Sequence, residues 1–149
     1  MSTHIGDAAS ASRAPRSRVV VAEDDEGMLE LVAFALRNDG HEVIEVSDGG
    51  RLLVRLASQL RTERGLDADL IVSDIRMPVM SGLAMLKALR DAHWTKPVIL
   101  MTAFADEDTR NRAARLGARL LDKPFTMEGL CAAVDEELEA HRRSASAGG

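Results

Sequence analysis

The chain has 149 residues, of which 46% are hydrophobic and 29% charged, with a formal net charge of −5. That length and apolar content suit one domain with a buried core, and the acidic balance is not one that grips nucleic-acid phosphates along a basic stripe. The single cysteine, Cys131, excludes an internal disulfide and a cysteine-built metal site, and no apolar run approaches the roughly 20 residues that span a bilayer, so a cytoplasmic protein without membrane contact is expected.

Residues 1–17 are rich in Ala, Ser, Arg and Pro and lack the apolar core of a signal peptide; they read as a disordered tail. Arg18 to Ala22 is a short β-branched run, hence a buried strand. Met28, Leu31, Val32, Ala35 and Leu36 then recur at helical spacing up to the stop signal Asn38-Asp39-Gly40. His41 to Val46 reads as a second strand. A helix with Leu52, Leu53, Leu56 and Leu60 on one stripe follows, and it or a loop runs on through Arg61 to Gly65. Leu70 to Asp74 is a third strand ending on a carboxylate. Met77-Pro78 breaks the chain, and Ser81-Gly82 opens a helix carrying Leu83, Leu86 and Leu89. Pro97 to Met101 reads as a fourth strand. The helical segment Asp106 to Leu116 is thinly apolar, with Ala113, Ala114 and Leu116 as anchors. A fifth strand, about Arg119 to Leu121, leads to Lys123-Pro124-Phe125. A last helix from about Thr126 packs Met127, Leu130, Val134 and Leu138, and residues 143–149 read as a second disordered tail. Repeated strand–helix alternation with almost wholly apolar strands implies a parallel sheet covered on both faces.

Ligands of such sheets bind beyond the carboxyl ends of the strands. The first strand delivers Glu23-Asp24-Asp25 there, the third Asp74, the fourth Thr102-Ala103 and the fifth Lys123-Pro124. Two carboxylates about 4 Å apart repel by roughly 4 kcal/mol at an effective dielectric near 20, so such a cluster takes up a proton or a cation. Oxygen ligands suit Mg²⁺, which often shares its shell with phosphate. With Asp24 and Asp74 holding the metal, one Asp74 oxygen is left to act as a nucleophile, while Lys123 and the Thr102 hydroxyl meet phosphoryl charge. Each residue alone has a plainer reading. Asp74 could be a turn residue, Thr102 a helix N-cap, Lys123 a solvated loop residue, and Asp25 a compensator of the helix dipole. The four histidines, His4, His41, His93 and His141, share no motif and suggest no metal or catalytic role.

Val-Val-Val-Ala-Glu-Asp-Asp-Glu, Ser-Asp-Ile-Arg-Met-Pro-Val-Met-Ser-Gly-Leu, Met-Thr-Ala and Asp-Lys-Pro-Phe resemble, in order and spacing, the four signature segments of two-component response-regulator receiver domains. The likeness runs from about Arg18 to Arg142, and around Asp74 it is greatest to receivers of the nitrogen-regulator type. It implies a flavodoxin-like (βα)5 fold, doubly wound, with a five-stranded parallel sheet in the order 2-1-3-4-5. It also implies a job for each matching residue. Asp74 would be the phosphoacceptor, charged by a sensor histidine kinase or a phosphotransfer protein. Asp24, Asp74 and the backbone carbonyl of Arg76 would hold Mg²⁺, with Glu23 acting through water and Asp25 in the outer shell. Thr102 and Lys123 would contact the phosphoryl group, and Lys123-Pro124 is of the type that is cis in the family. The chain would then be a phosphorylation switch acting on a downstream protein target, assisting its own phosphorylation and dephosphorylation rather than turning over a substrate. Transient dimerisation through the last two helices stays open.

The chain departs from that pattern at Leu120, where receivers usually carry an aromatic residue three before the lysine, and the sequence contains no tyrosine. The segment Gly117 to Lys123 is also about one residue short. Leu120 mildly favours a pseudo-receiver, a protein-interaction module that does not use phosphorylation. A haloacid-dehalogenase-type phosphatase would need a second Asp where Arg76 stands. A flavodoxin would need a phosphate cradle after its first strand, where Glu23-Asp24-Asp25 would repel phosphate.

Overall fold

The computed structural model describes residues 17–60 and 67–148. Five strands, β1 (Arg18–Ala22), β2 (Glu42–Val46), β3 (Leu70–Asp74), β4 (Val98–Thr102) and β5 (Arg119–Asp122), alternate with five helices: α1 (Glu26–Asn38), α2 (Gly49–Leu60), α3 (Gly82–Asp91), α4 (Glu107–Arg115) and α5 (Met127–Gly148). All strand pairs are parallel, in the order β2-β1-β3-β4-β5. This is the flavodoxin-like arrangement that the strand–helix alternation and the family likeness lead one to expect.

Successive strand residues point to opposite faces, and the core divides accordingly. Val20, Ala22, Ile71, Val98 and Leu100 face one side, where Leu52 of α2, Met85, Leu86 and Leu89 of α3, and Ala113 of α4 cover them. Val19, Val21, Leu70, Val72, Ile99 and Met101 face the other, against Leu29, Val32 and Leu36 of α1 and Leu130, Val134 and Leu138 of α5. Only a sheet buried on both faces needs apolar residues at every strand position, and β3 and β4 are buried throughout.

Side-chain caps set the helix starts. Asp25 accepts the Met28 N–H at the head of α1, Ser81 the Ala84 N–H at α3, and Asp106 the Thr109 N–H at α4. The chain leaves α1 through Gly40 at φ +95°, a conformation that suits glycine. Three expectations change. Within α4, Ala113 is buried but Ala114 is exposed, so the helix is held more thinly than its composition suggests. Helix α5 continues to Gly148, past Arg143, where a disordered tail is expected; its Ala residues favour helix, and Ser tolerates it. Ser17, assigned above to the N-terminal tail, is buried; its carbonyl accepts the Glu42 N–H at 2.9 Å. The rest of that tail and the stretch from Arg61 to Gly65 lie outside the described residues.

Candidate functional site

Glu23 and Asp24 follow directly on β1 and Asp74 ends β3, and these lie side by side because β1 and β3 are neighbours in register, Ala22 opposite Ser73. Ligand oxygens of Glu23, Asp24 and Asp74 all lie within 4.8 Å of one another. Glu23 is buried, Asp74 is 8% exposed and Asp24 is open to solvent. Lys123, delivered by β5 from two strands away, places its Nζ 2.9 Å from Asp74 Oδ2 and 3.2 Å from Glu23 Oε2. The Arg76 backbone N–H donates to the other Asp74 oxygen, Oδ1, at 3.1 Å.

Charge explains how this cluster coexists. Burial pushes the Glu23 carboxyl up to about 7 against the lowering effect of the Asp25 N–H, with the nearby Asp74 adding to the rise. Burial alone would lower the Lys123 pKa, but its bonds to Asp74 and Glu23 outweigh that and leave it raised. One ammonium therefore sits between two carboxylates whose negative charge it does not fully cancel.

The structure sorts the other expected residues. Thr102 is buried at the end of β4. Its hydroxyl accepts the Phe104 N–H at 3.1 Å, and the cap of α4 is Asp106, so Thr102 is not an N-cap. Its carbonyl accepts the Lys123 N–H at 2.7 Å, fixing the β4 and β5 ends to each other. The Lys123-Pro124 peptide bond is cis. The Asp25 carboxylate caps α1 at 2.9 Å from the Met28 nitrogen, and its own N–H donates to Glu23 Oε1 at 3.2 Å. The side chain of Arg76 is exposed on the rim of an open cleft of about 480 Å³ lined by Asp24, Ile75, Arg76, Met77, Pro78 and Ser81. Leu120 is half-buried on β5 and packs against the face that carries α2, α3 and α4. No motif foretells a second gathering: His41, just before β2 and so at the opposite, amino-terminal end of the strands, lies beside Asp39 and Asp135. Asp135 is 94 positions from His41, so no local motif signals the group.

A parallel sheet whose order reverses beside β1, with acids, a hydroxyl and a lysine at its strand ends, defines a doubly wound α/β protein with its site at the switch point. The chain belongs to the response regulator receiver domain family, whose model matches residues 19–135, the receiver domains of two-component systems. It is 34% identical over 128 residues to the DNA-binding transcriptional regulator NtrC of Salmonella typhimurium, covering 85% of this chain and 26% of that protein. It is 31% identical over 124 residues to the regulatory protein AtoC of Escherichia coli, covering 83% and 25%. The chain thus spans about a quarter of the length of these curated relatives. Among solved structures, the chemotaxis response regulator CheY4 of Vibrio cholerae is 26% identical with a TM-score of 0.69, over 82% of this chain and 98% of that one. A CheY-like receiver domain protein from Methanospirillum hungatei is 21% identical with a TM-score of 0.76, over 87% and 99%, a likeness of fold.

Proposed function

We propose that this chain is a phosphorylation switch in which Asp74 accepts a phosphoryl group from the phosphohistidine of a sensor kinase or phosphotransfer protein. An Asp74 carboxylate oxygen attacks phosphorus, the phosphorus–nitrogen bond breaks, and the donor histidine, protonated on its other ring nitrogen, keeps that electron pair and leaves as neutral imidazole with an acyl phosphate left on Asp74. The observation that carries this reading is the Asp74 carboxylate itself. It is nearly buried, held by Lys123 at 2.9 Å and by the Arg76 N–H at 3.1 Å, and adjoins two further acids.

The donor set at this end of the sheet is all oxygen, which fits a hard divalent ion such as Mg²⁺. Asp24, Asp74 and the Arg76 backbone carbonyl are the residues that would hold it, with Glu23 reached through water and Asp25 outside. Bound there, the ion supplies positive charge to the acids and to the incoming phosphoryl oxygens. Lys123, whose ammonium lies 2.9 Å from Asp74 Oδ2, serves the same end from the β5 side. A hydroxyl that accepts one hydrogen bond can still donate one, so Thr102 contacts a phosphoryl oxygen while its hydroxyl remains a partner of Phe104. Phosphoryl transfer rests mainly on such positioning and charge.

The downstream event is a changed protein–protein contact in the cytoplasm, with a target protein or a transient second copy of the chain. Leu120 supports a second reading, an interaction module that does not use phosphorylation. Incubation with Mg²⁺ and acetyl phosphate separates the two. Intact-protein mass spectrometry should record a gain of about 80 Da, one phosphoryl group, absent from Asp74→Asn. No gain on the wild-type chain with Mg²⁺ bound would overturn the switch.

A further inference from the structure

The second gathering of ligand-type side chains lies where α1 ends, β2 begins and α5 passes over them. Ligand atoms of Asp39, His41 and Asp135 lie within 4.8 Å of one another. The His41 Nε2 is 3.2 Å from Asp135 Oδ1 and 3.7 Å from Asp39 Oδ2, and the imidazole is nine-tenths buried. The Nε2 side of the ring faces the two carboxylates, while Nδ1 is buried without a hydrogen-bond partner. Asp39 is the C-cap of α1, where the helix dipole is already negative and favours a cation. Two carboxylates and a helix C-terminus thus converge on one nitrogen.

We propose that Asp39, His41 and Asp135 form a second cation site, taking a divalent transition-metal ion of the Zn²⁺ type and fastening α5 to the start of β2. The imidazole nitrogen separates this site from the oxygen-only acids around Asp74, because nitrogen ligands favour Zn²⁺ and its neighbours over Mg²⁺. Cys131, one turn before Asp135, is half-buried and turns its thiol to the Ala35 carbonyl at 3.7 Å. The protein ligands are one imidazole and two carboxylates, with water completing the shell. Coordination through Nε2 leaves the ring hydrogen on Nδ1 with no acceptor, so the site binds more weakly than one with a complete outer shell.

The test is calorimetric titration of Zn²⁺ into the full chain in saturating Mg²⁺, with Co²⁺ absorption as a second readout. One equivalent of Zn²⁺ should bind and raise the melting temperature. His41→Ala and Asp135→Asn should each weaken that binding at least about tenfold and remove the Co²⁺ bands, whereas Asp24→Asn should keep both. Asp135 is exposed, so its Asn variant decides the matter even where His41→Ala fails to fold. The proposal is overturned by a wild-type chain that takes up no Zn²⁺ in Mg²⁺, by an Asp135→Asn chain that binds like wild type, or by loss of the equivalent in Asp24→Asn.

Discussion

Lys123 stands between two carboxylates with a fifth of its side chain exposed. Lys123→Met removes that ammonium and leaves Glu23 and Asp74 facing each other. Without divalent cations the variant should lose on the order of 1–3 kcal/mol in urea unfolding, less than for a fully buried pair because Glu23 can take up a proton instead. Saturating Mg²⁺ should narrow the difference from wild type, and a gap that Mg²⁺ leaves unchanged would argue against a shared cation site. Asp106 sets a different pH response. Its bonds from Thr109 hold its carboxyl below the ordinary 3.8. A depressed folded-state pKa means the cap contributes fully above the unfolded value and is lost as pH falls through the lower folded value. Amide protection in α4, corrected for intrinsic exchange, should therefore fall below pH 4 faster than in α3, whose Ser81 cap carries no titrating group, and Asp106→Asn, which keeps a capping oxygen, should flatten that dependence.

Among the elements, α3 bears most directly on β3, the strand that ends in Asp74. Its first residue, Gly82, lies so close to the end of β3 that an added Cβ would sit 2.5 Å from the Asp74 carbonyl oxygen and 3.2 Å from the Ile75 Cα. The Gly82 N–H also donates to the Ile75 carbonyl at 2.9 Å. Gly82→Ala must push backbone rather than a flexible side chain, so it should cost about 1–3 kcal/mol and slow acetyl phosphate labelling of Asp74, read by mass spectrometry over time. The strands and the start of α3 were legible in the sequence because β-branched runs and a capping serine act locally, whereas the Asp25 cap of α1 reads in sequence as dipole compensation. Helix α4 was legible as an element but not in its anchoring. Which of two adjacent alanines, Ala113 and Ala114, meets the sheet depends on how the helix is rolled against it, and neighbouring side chains decide that.

For the molecule as a whole, the sheet buried on both faces makes the two cores one cooperative unit, since β1, β3 and β4 supply residues to both. Leu86 is fully buried against β3 and β4 from α3. Leu86→Ala should lower stability by about 2–5 kcal/mol in chemical denaturation, and helical and near-ultraviolet signals should still unfold together. Separate transitions would show that the face carrying α2, α3 and α4 is only loosely coupled to the one carrying α1 and α5. The order of strands matters to function for the same reason. It sets β1 next to β3, so the acids after Ala22 meet the acid that ends β3.

The sequence by itself determined which residues reach the functional end of the sheet, because Glu23, Asp24, Asp74, Thr102 and Lys123 each follow or end a strand whose apolar pattern is local. It also determined the family, through four short segments in the right order. Tertiary structure decided how those residues share charge. Lys123 and Glu23, 100 positions apart, meet through the lateral order of strands, and Asp25, next to two cluster acids in the chain, is turned away to cap α1. It alone decided that His41 falls between Asp39 and Asp135. Periodicity is a property of neighbours along the chain, whereas the pairing of distant charges is fixed only when helices settle onto the sheet.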